Sequence, residues 1–208
     1  MSGPGSAGAK STNLGALSRK YESNGNPATI ANTPGDIGGK SYGTYQIIRS
    51  NIPSFVNYLK EQAPAAYKAL AGKSAGSSAF DSAWKAYAAK EPDYFARLQH
   101  NYIQASHYVP AVKSVKSATG LDVADRSAAV QDVLWSTAVQ HGSAGAAKVF
   151  RNAGITSGMS DAEIIRRVYA ERSADNGKKY FSSSSSAVRN GVLNRYKSEL
   201  LDAMKMLT

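Results

Sequence analysis

Along most of the chain, apolar residues recur at intervals of three and four, the spacing that gathers them on one side of a helix. Leu14, Leu17 and Tyr21 define the first such segment, behind Ser11, Thr12 and Asn13 as cap candidates, and the helix should run to about Glu22 before Gly25 and Pro27 stop it. Phe55, Tyr58 and Leu59 after Pro53 predict a second helix, Tyr67 and Leu70 after Pro64 a short third, and Phe80, Trp84 and Tyr87 a fourth. Beyond Pro92, Phe95, Leu98, Tyr102 and Ile103 give a fifth, running to about Tyr108 ahead of Pro110. Asp125 reads as the cap of the next helix, where Val130, Leu134 and Ala138 repeat every four residues up to a stop at Gly142. Its low charge and apolar surface mark it as the central helix.

A short helix over 143–152 follows, with Ser143 as its cap and Gly154 as its stop. Ser160 and Glu163 form a capping box before Ile164, Ile165 and Val168, and Val192, Leu193, Tyr196, Leu200 and Met204 describe a closing helix. Strand material is confined to Tyr42, Thr44 and the Ile47-Ile48 pair, which predict one small β-hairpin. The expected fold class is therefore mainly α. Residues 1–10, dominated by Gly, Ser, Pro and Ala, are expected to be a flexible tail, and residues 11–208 a single domain with no internal repeat. Residues 24–40, rich in Gly, Asn and Pro, predict a long loop, a type of segment that often carries function in a compact domain.

Composition narrows the function classes. No apolar run approaches the roughly 18–20 residues that cross a bilayer, and no basic stretch followed by an apolar one opens the chain, so neither membrane insertion nor an export signal is expected. The absence of cysteine excludes disulfides and thiolate metal sites. Twenty-five Lys and Arg against fifteen Asp and Glu give a formal charge of +10, which favours nucleic acid, an anionic membrane face or an acidic cell wall as partner. The basic residues are scattered and do not alternate with aromatics, so nucleic acid is not expected.

The chemistry-bearing residues cluster early. Glu22 ends an amphipathic helix, where the negative end of the helix dipole disfavours the ionised carboxyl and suits a general acid. A solvated glutamate at a fraying helix end is the plainer alternative. Asp36, in Pro34-Gly35-Asp36-Ile37-Gly38-Gly39, is the one carboxylate between residues 23 and 60, and it reads either as a turn aspartate or as a base holding water. One carboxylic acid and one carboxylate are what glycosidic-bond hydrolysis needs. Ser41, Tyr42, Thr44, Tyr45 and Gln46 offer ring faces and polar groups that suit a sugar, or alternatively the cross-strand pairs of a half-buried hairpin. On the central helix, Gln131 and Asp132 read as a polar network of the core, while Trp135, Gln140 and His141 read as cleft lining or as part of that network. His100 and His107 lack a carboxylate cluster, so no metal is expected, and no nucleotide-binding or serine-hydrolase motif implies a cofactor.

Leu17-Ser18-Arg19-Lys20-Tyr21-Glu22-Ser23, Gly35-Asp36 and Ser41-Tyr42-Gly43-Thr44-Tyr45-Gln46-Ile47 together resemble the active-site region of lysozyme-like peptidoglycan hydrolases, with goose-type lysozymes and lytic transglycosylases as the nearest cousins. The run from Gln131 to Gly142 is similar to one in phage lysins and in lysozyme domains attached to type VI secretion spike proteins. The resemblance implies a two-lobed helical fold with a cleft beside the hairpin, and cleavage of the β-1,4 bond between N-acetylmuramic acid and N-acetylglucosamine. It gives Glu22 the general-acid role and Asp36 the water-activating one, with inversion favoured by a loop-borne base. Lytic transglycosylation by Glu22 alone, chitosanase-like hydrolysis and a catalytically silent wall-binding module are the rival expectations. The implied partner is the glycan strand of peptidoglycan, met by a monomer in the periplasm or on the wall. A phage lysis system or a secretion machine would deliver it, and an immunity protein would be a further partner.

Overall fold

The computed structural model describes residues 14–23, 25–32 and 39–208, without the side chains of Glu22 and Ser23. The expected tail at 1–10, the cap candidates Ser11 to Asn13, and Asp36 with its immediate neighbours lie outside those residues. The described part is mainly helical, as the periodicity predicts, with one small sheet. Its helices are α1 (Ala16–Ser23), α2 (Ile52–Gln62), α3 (Pro64–Leu70), α4 (Ser78–Lys90), α5 (Pro92–Ile103), α6 (Val109–Thr119), α7 (Ala128–Asn152), α8 (Asp161–Arg172) and α9 (Ser186–Lys205).

Local chemistry explains most of the boundaries. Pro53, Pro64 and Pro92 occupy first turns, where the missing N–H costs nothing. The hydroxyls of Ser77, Ser127, Ser160 and Ser185 each accept a backbone N–H from the turn they precede. The cap of α7 is thus Ser127 rather than Asp125, which belongs to a short 3₁₀ turn, Val123–Asp125, that Asp122 caps in turn. Pro110 does not end the fifth helix either. The chain runs from α5 through a π-helical turn, Gln104–Tyr108, into α6 with Pro110 in its first turn. A wider turn changes which carbonyl faces each N–H, and a proline placed after it no longer clashes with a tight α-turn behind it. Gly142, with φ 70° and ψ 172°, breaks α7 into two segments at the predicted stop.

The sheet has three antiparallel strands rather than the two of the expected hairpin: β1 (Ile30–Ala31), β2 (Ser41–Tyr42) and β3 (Ile47–Ile48), in that order. Ile30 pairs with Tyr42 and Tyr42 with Ile47. A two-residue strand inside an Asn- and Pro-rich stretch is too short to leave an alternation signal. The first half of α7 is the centre of the core, with Val130, Val133, Leu134, Trp135 and Ala138 fully buried. As a whole, α7 packs against α1, α6, α8 and α9. A second aromatic group joins the sheet to α2, α4 and α5, where Trp84 meets Tyr42, Phe55, Phe80 and Phe95 at ring-centroid distances of 4.7–6.0 Å. Tilted and edge-on pairs of this kind contribute about 0.5–1.5 kcal/mol each beyond the area they bury.

Candidate functional site

The helix that carries Glu22 has only eight residues, too few to be stable alone in water, so its position must come from tertiary contacts. Its N-terminus supplies them first. The carboxylate of Asp132, from the buried half of α7, accepts the backbone N–H groups of Gly15, Ala16 (3.2 Å) and Leu17 (2.8 Å). Donors that a helix start leaves unpaired are satisfied here by a side chain 115 residues away in sequence. Gly15, at φ 83°, lies so close to the Trp135 indole that a Cβ would stand 2.9 Å from Cε2. At the other end, the Tyr21 hydroxyl donates to Asp202 Oδ2 of α9 at 2.6 Å, and Lys20 forms an ion pair with the same carboxylate. Glu22 is the next residue, on a helix tied to α7 at its start and to α9 near its end.

Burial pushes the Asp132 carboxyl up to about 6, against the opposing pull of three backbone N–H groups and of Arg19. A raised acid holds its proton more tightly in the folded than in the unfolded chain, so the stabilisation Asp132 provides is largest below its ordinary range near 3.8 and declines as pH rises to about 6. Asp132→Ala is expected to destabilise the fold by about 2 kcal/mol at pH 4.5, from stranded N–H donors, with a smaller loss at pH 7. Urea unfolding of both proteins at the two pH values measures the difference.

The turn from Gly43 to Gln46 joins β2 to β3. Gly43 has φ 75°, and a Cβ there would fall 2.2 Å from Gln99 Oε1 and 2.9 Å from Trp84 Cζ2. Gln99 is fully buried and clamps two loops: its Oε1 accepts the Thr44 N–H at 2.8 Å, and its Nε2 donates to the Pro27 carbonyl at 3.1 Å, where Trp84 Nε1 also donates. Gln46 adopts φ 48°, a left-handed conformation uncommon for a residue with a side chain. Its amide closes the turn, with Nε2 donating to the Gly43 carbonyl at 2.8 Å and Oε1 accepting the Ser41 hydroxyl at 2.6 Å.

The aromatic residues of this turn and of β2 face inward. Tyr42 is fully buried, donating to Asp81 Oδ1 at 2.7 Å and accepting the Gly76 N–H at 2.9 Å. Thr44 is buried beside it. The Tyr45 hydroxyl meets His100 Nδ1 at 2.7 Å, and both rings lie against Trp135, which stacks on His100 at 4.8 Å and 18°. Burial lowers His100 to about 4, with Arg19 adding to the effect, so the imidazole is neutral near pH 7. Arg19 is also beside Tyr45, where its charge opposes the upward push of burial on the phenol. This arginine therefore joins α1 to the turn.

Gln140 and His141 stand at the break in α7, within a second polar network. Gln140 Oε1 accepts from Arg172 Nη2 at 2.7 Å and from the Tyr196 hydroxyl. Behind it, fully buried Arg172 and Glu199 pair at 3.4 Å, and Glu199 Oε2 also accepts from Ser136 and Tyr169, each at 2.9 Å. His141 packs against Tyr180 and Phe181, and burial, reinforced by Arg172 and Arg195, lowers it to about 3.

Ser41, Gln46, Gln140 and His141 are thus partly exposed, the first two paired in the turn and the last two in the separate Arg172–Tyr196 network, whereas Tyr42, Thr44, Tyr45 and Trp135 are buried. Gln99, Asp202 and the Arg172–Glu199 pair escaped sequence reasoning. Only Gln99 left a signal, as a polar residue in step with Phe95 and Tyr102 on the apolar face of its helix. No group of three or more His, Asp or Glu residues suited to a metal ion occurs among the described residues.

Residues 14–200 match the family described as type VI secretion system spike protein VgrG3-like, C-terminal. A curated relative, the type VI secretion system spike protein VgrG3 of Vibrio cholerae serotype O1, is 35% identical over 130 residues. That alignment covers 62% of this chain and 12% of the relative, so the chain spans a small part of that protein's length.

Proposed function

Since the chain belongs to the VgrG3-like C-terminal family of type VI secretion spike proteins, we propose that it is a spike-borne domain that cleaves the glycan strands of a recipient cell's wall, with a lysozyme-like two-lobed arrangement. The bond broken is the β-1,4 link between N-acetylmuramic acid and N-acetylglucosamine. Glu22 donates its proton to the leaving glycosidic oxygen, and Asp36 takes a proton from the water that adds to the anomeric carbon from the opposite face, inverting it. The observation that carries this reading is the fixing of α1: Asp132 and Asp202 hold the helix, and Arg19, one turn before Glu22, stands beside Tyr45 of the Gly43–Gln46 turn.

Within this reading Ser41 and Gln46 present oriented hydrogen-bonding groups to an N-acetylated sugar. Tyr42, Thr44, Tyr45 and Trp135 support that turn from inside. Gln140 and His141 contact the strand further along, and His141, neutral at physiological pH, serves as a hydrogen-bonding group rather than a proton carrier. Delivery with the secretion spike brings the domain to the periplasm, and no helix among the described residues is long and apolar enough to cross a membrane.

Mass spectrometry of digested peptidoglycan tests the chemistry. The wild-type protein is expected to release muropeptides with reducing ends, and Asp36→Asn is expected to lower that yield by roughly 10²-fold or more, as loss of a general base does. Anhydro-sugar products from both proteins would replace hydrolysis with transglycosylation by Glu22 alone.

A further inference from the structure

The surface between α6 and the second half of α7 is a groove of about 560 Å³, none of whose lining residues belongs to the candidate site. Lys113, Ser114 and Ser117 line it from α6, and Lys148 and Arg151 from α7. The helical repeat explains the arrangement. Val115 of α6 and Ala146, Val149 and Phe150 of α7 point into the core, which turns the intervening residues toward the rim of the same helix pair. Ala118, Ala144 and Ala147 complete the lining, and their small side chains leave room between the longer, charged ones.

The charge in this groove is uncompensated. Among the described residues no acidic side chain lines it, and none of its three cations has an ion-pair partner. Lys116, on the same helix as Lys113, shows the contrast, since it pairs with Asp122 at 2.6 Å. Three like charges around one depression repel one another, an arrangement that a bound anion relieves. Two serine hydroxyls beside the cations add neutral donors, and an arginine fork with lysine ammonium groups matches the tetrahedral oxygens of phosphate. The volume falls within the ~300–1,000 Å³ of ordinary ligand clefts and exceeds what a single phosphate fills. Among the described residues no aromatic side chain lines the groove, so they offer no stacking platform of the kind that holds single-stranded nucleic acid.

We propose that this groove binds a phosphate-bearing polyol or sugar chain, an anionic envelope polymer without bases, and so holds the protein on the envelope separately from its bond-cleaving site. Fluorescence anisotropy with a labelled glycerol-phosphate oligomer is the direct test, alongside single-stranded DNA of equal charge and an uncharged glycan of equal length. The triple variant Lys113→Gln/Lys148→Gln/Arg151→Gln changes only exposed positions and is compared with Lys60→Gln/Lys68→Gln/Lys90→Gln, which removes the same charge from exposed sites on α2, α3 and α4. The groove variant is expected to bind the glycerol-phosphate oligomer at least tenfold more weakly than the wild type, and the control variant within about threefold of it, since phosphate contacts dominate over diffuse charge. Equal losses in the two variants would overturn the groove as a site. DNA binding that matches the oligomer's and is lost with it would overturn the assignment of ligand class, and wild-type binding to the uncharged glycan as tight as to the oligomer would overturn the role of phosphate.

Discussion

Glu22→Gln is expected to reduce cleavage of peptidoglycan by roughly 10²–10⁴-fold, the usual worth of a positioned general acid, while leaving the unfolding midpoint unchanged or slightly raised. The two halves of the expectation have separate origins. Gln keeps the length and helix propensity of Glu, and removing a negative charge from the last turn of α1 removes an unfavourable interaction with the helix dipole. Stability therefore has no reason to fall. Catalysis does, because an amide has no proton to give to the leaving oxygen, and the loss should be as large in kcat as in kcat/KM, the pattern of an interaction made only in the transition state. Dye release from labelled peptidoglycan with urea denaturation of the same preparations measures both. Wild-type rates from the Gln variant would end the assignment of Glu22 as the general acid.

The division between what local sequence shows and what it hides is visible in α1 itself. Leu17 and Tyr21 reveal the helix through their spacing, and Glu22 its end, because helix periodicity and the following Gly25 and Pro27 are local properties. What holds the helix is not local. Asp132 and Asp202 lie more than 100 residues further on, and nothing in the spacing of their neighbours says which N–H or hydroxyl they meet. The aromatic residues show the same limit. Tyr42, Tyr45 and Trp135 carry a polar tip on an apolar body, so the sequence leaves their destination open, and it is the arrival of α4 and α5 that encloses them. Pro110 misleads for a related reason: a proline is a stop signal in a regular α-helix, but the π-helical turn before it changes the geometry it must fit.

Glu199→Gln is expected to destabilise the protein by about 3–5 kcal/mol, because it removes the charge partner of a guanidinium that is fully out of water. Arg172 stands over the Tyr196 ring at 4.1 Å and the Tyr169 ring at 5.0 Å, so the aromatic faces soften the loss without replacing a carboxylate. Glu199 also receives hydroxyls from Ser136 and Tyr169 and an ion pair from Arg195 at 2.9 Å, which makes one carboxylate the meeting point of α7, α8 and α9. The net contribution of such a buried pair is small, since an apolar pair of similar volume often does as well, whereas removing one partner strands the other charge. The double variant Arg172→Met/Glu199→Gln is accordingly expected to lose less than the sum of its two single variants, with a coupling of about 1–3 kcal/mol in chemical denaturation. Strict additivity would mean that the two side chains act independently. If Gln140 contacts the strand as proposed, the functional consequence runs through its Oε1, held by Arg172 and Tyr196: with Glu199 replaced, that carbonyl loses its fixed donor geometry, and the KM for glycan strands is expected to rise more than kcat falls. A fall confined to kcat would instead place the network's influence on the Glu22 side of the domain, through the contact of α9 with α1 at Asp202.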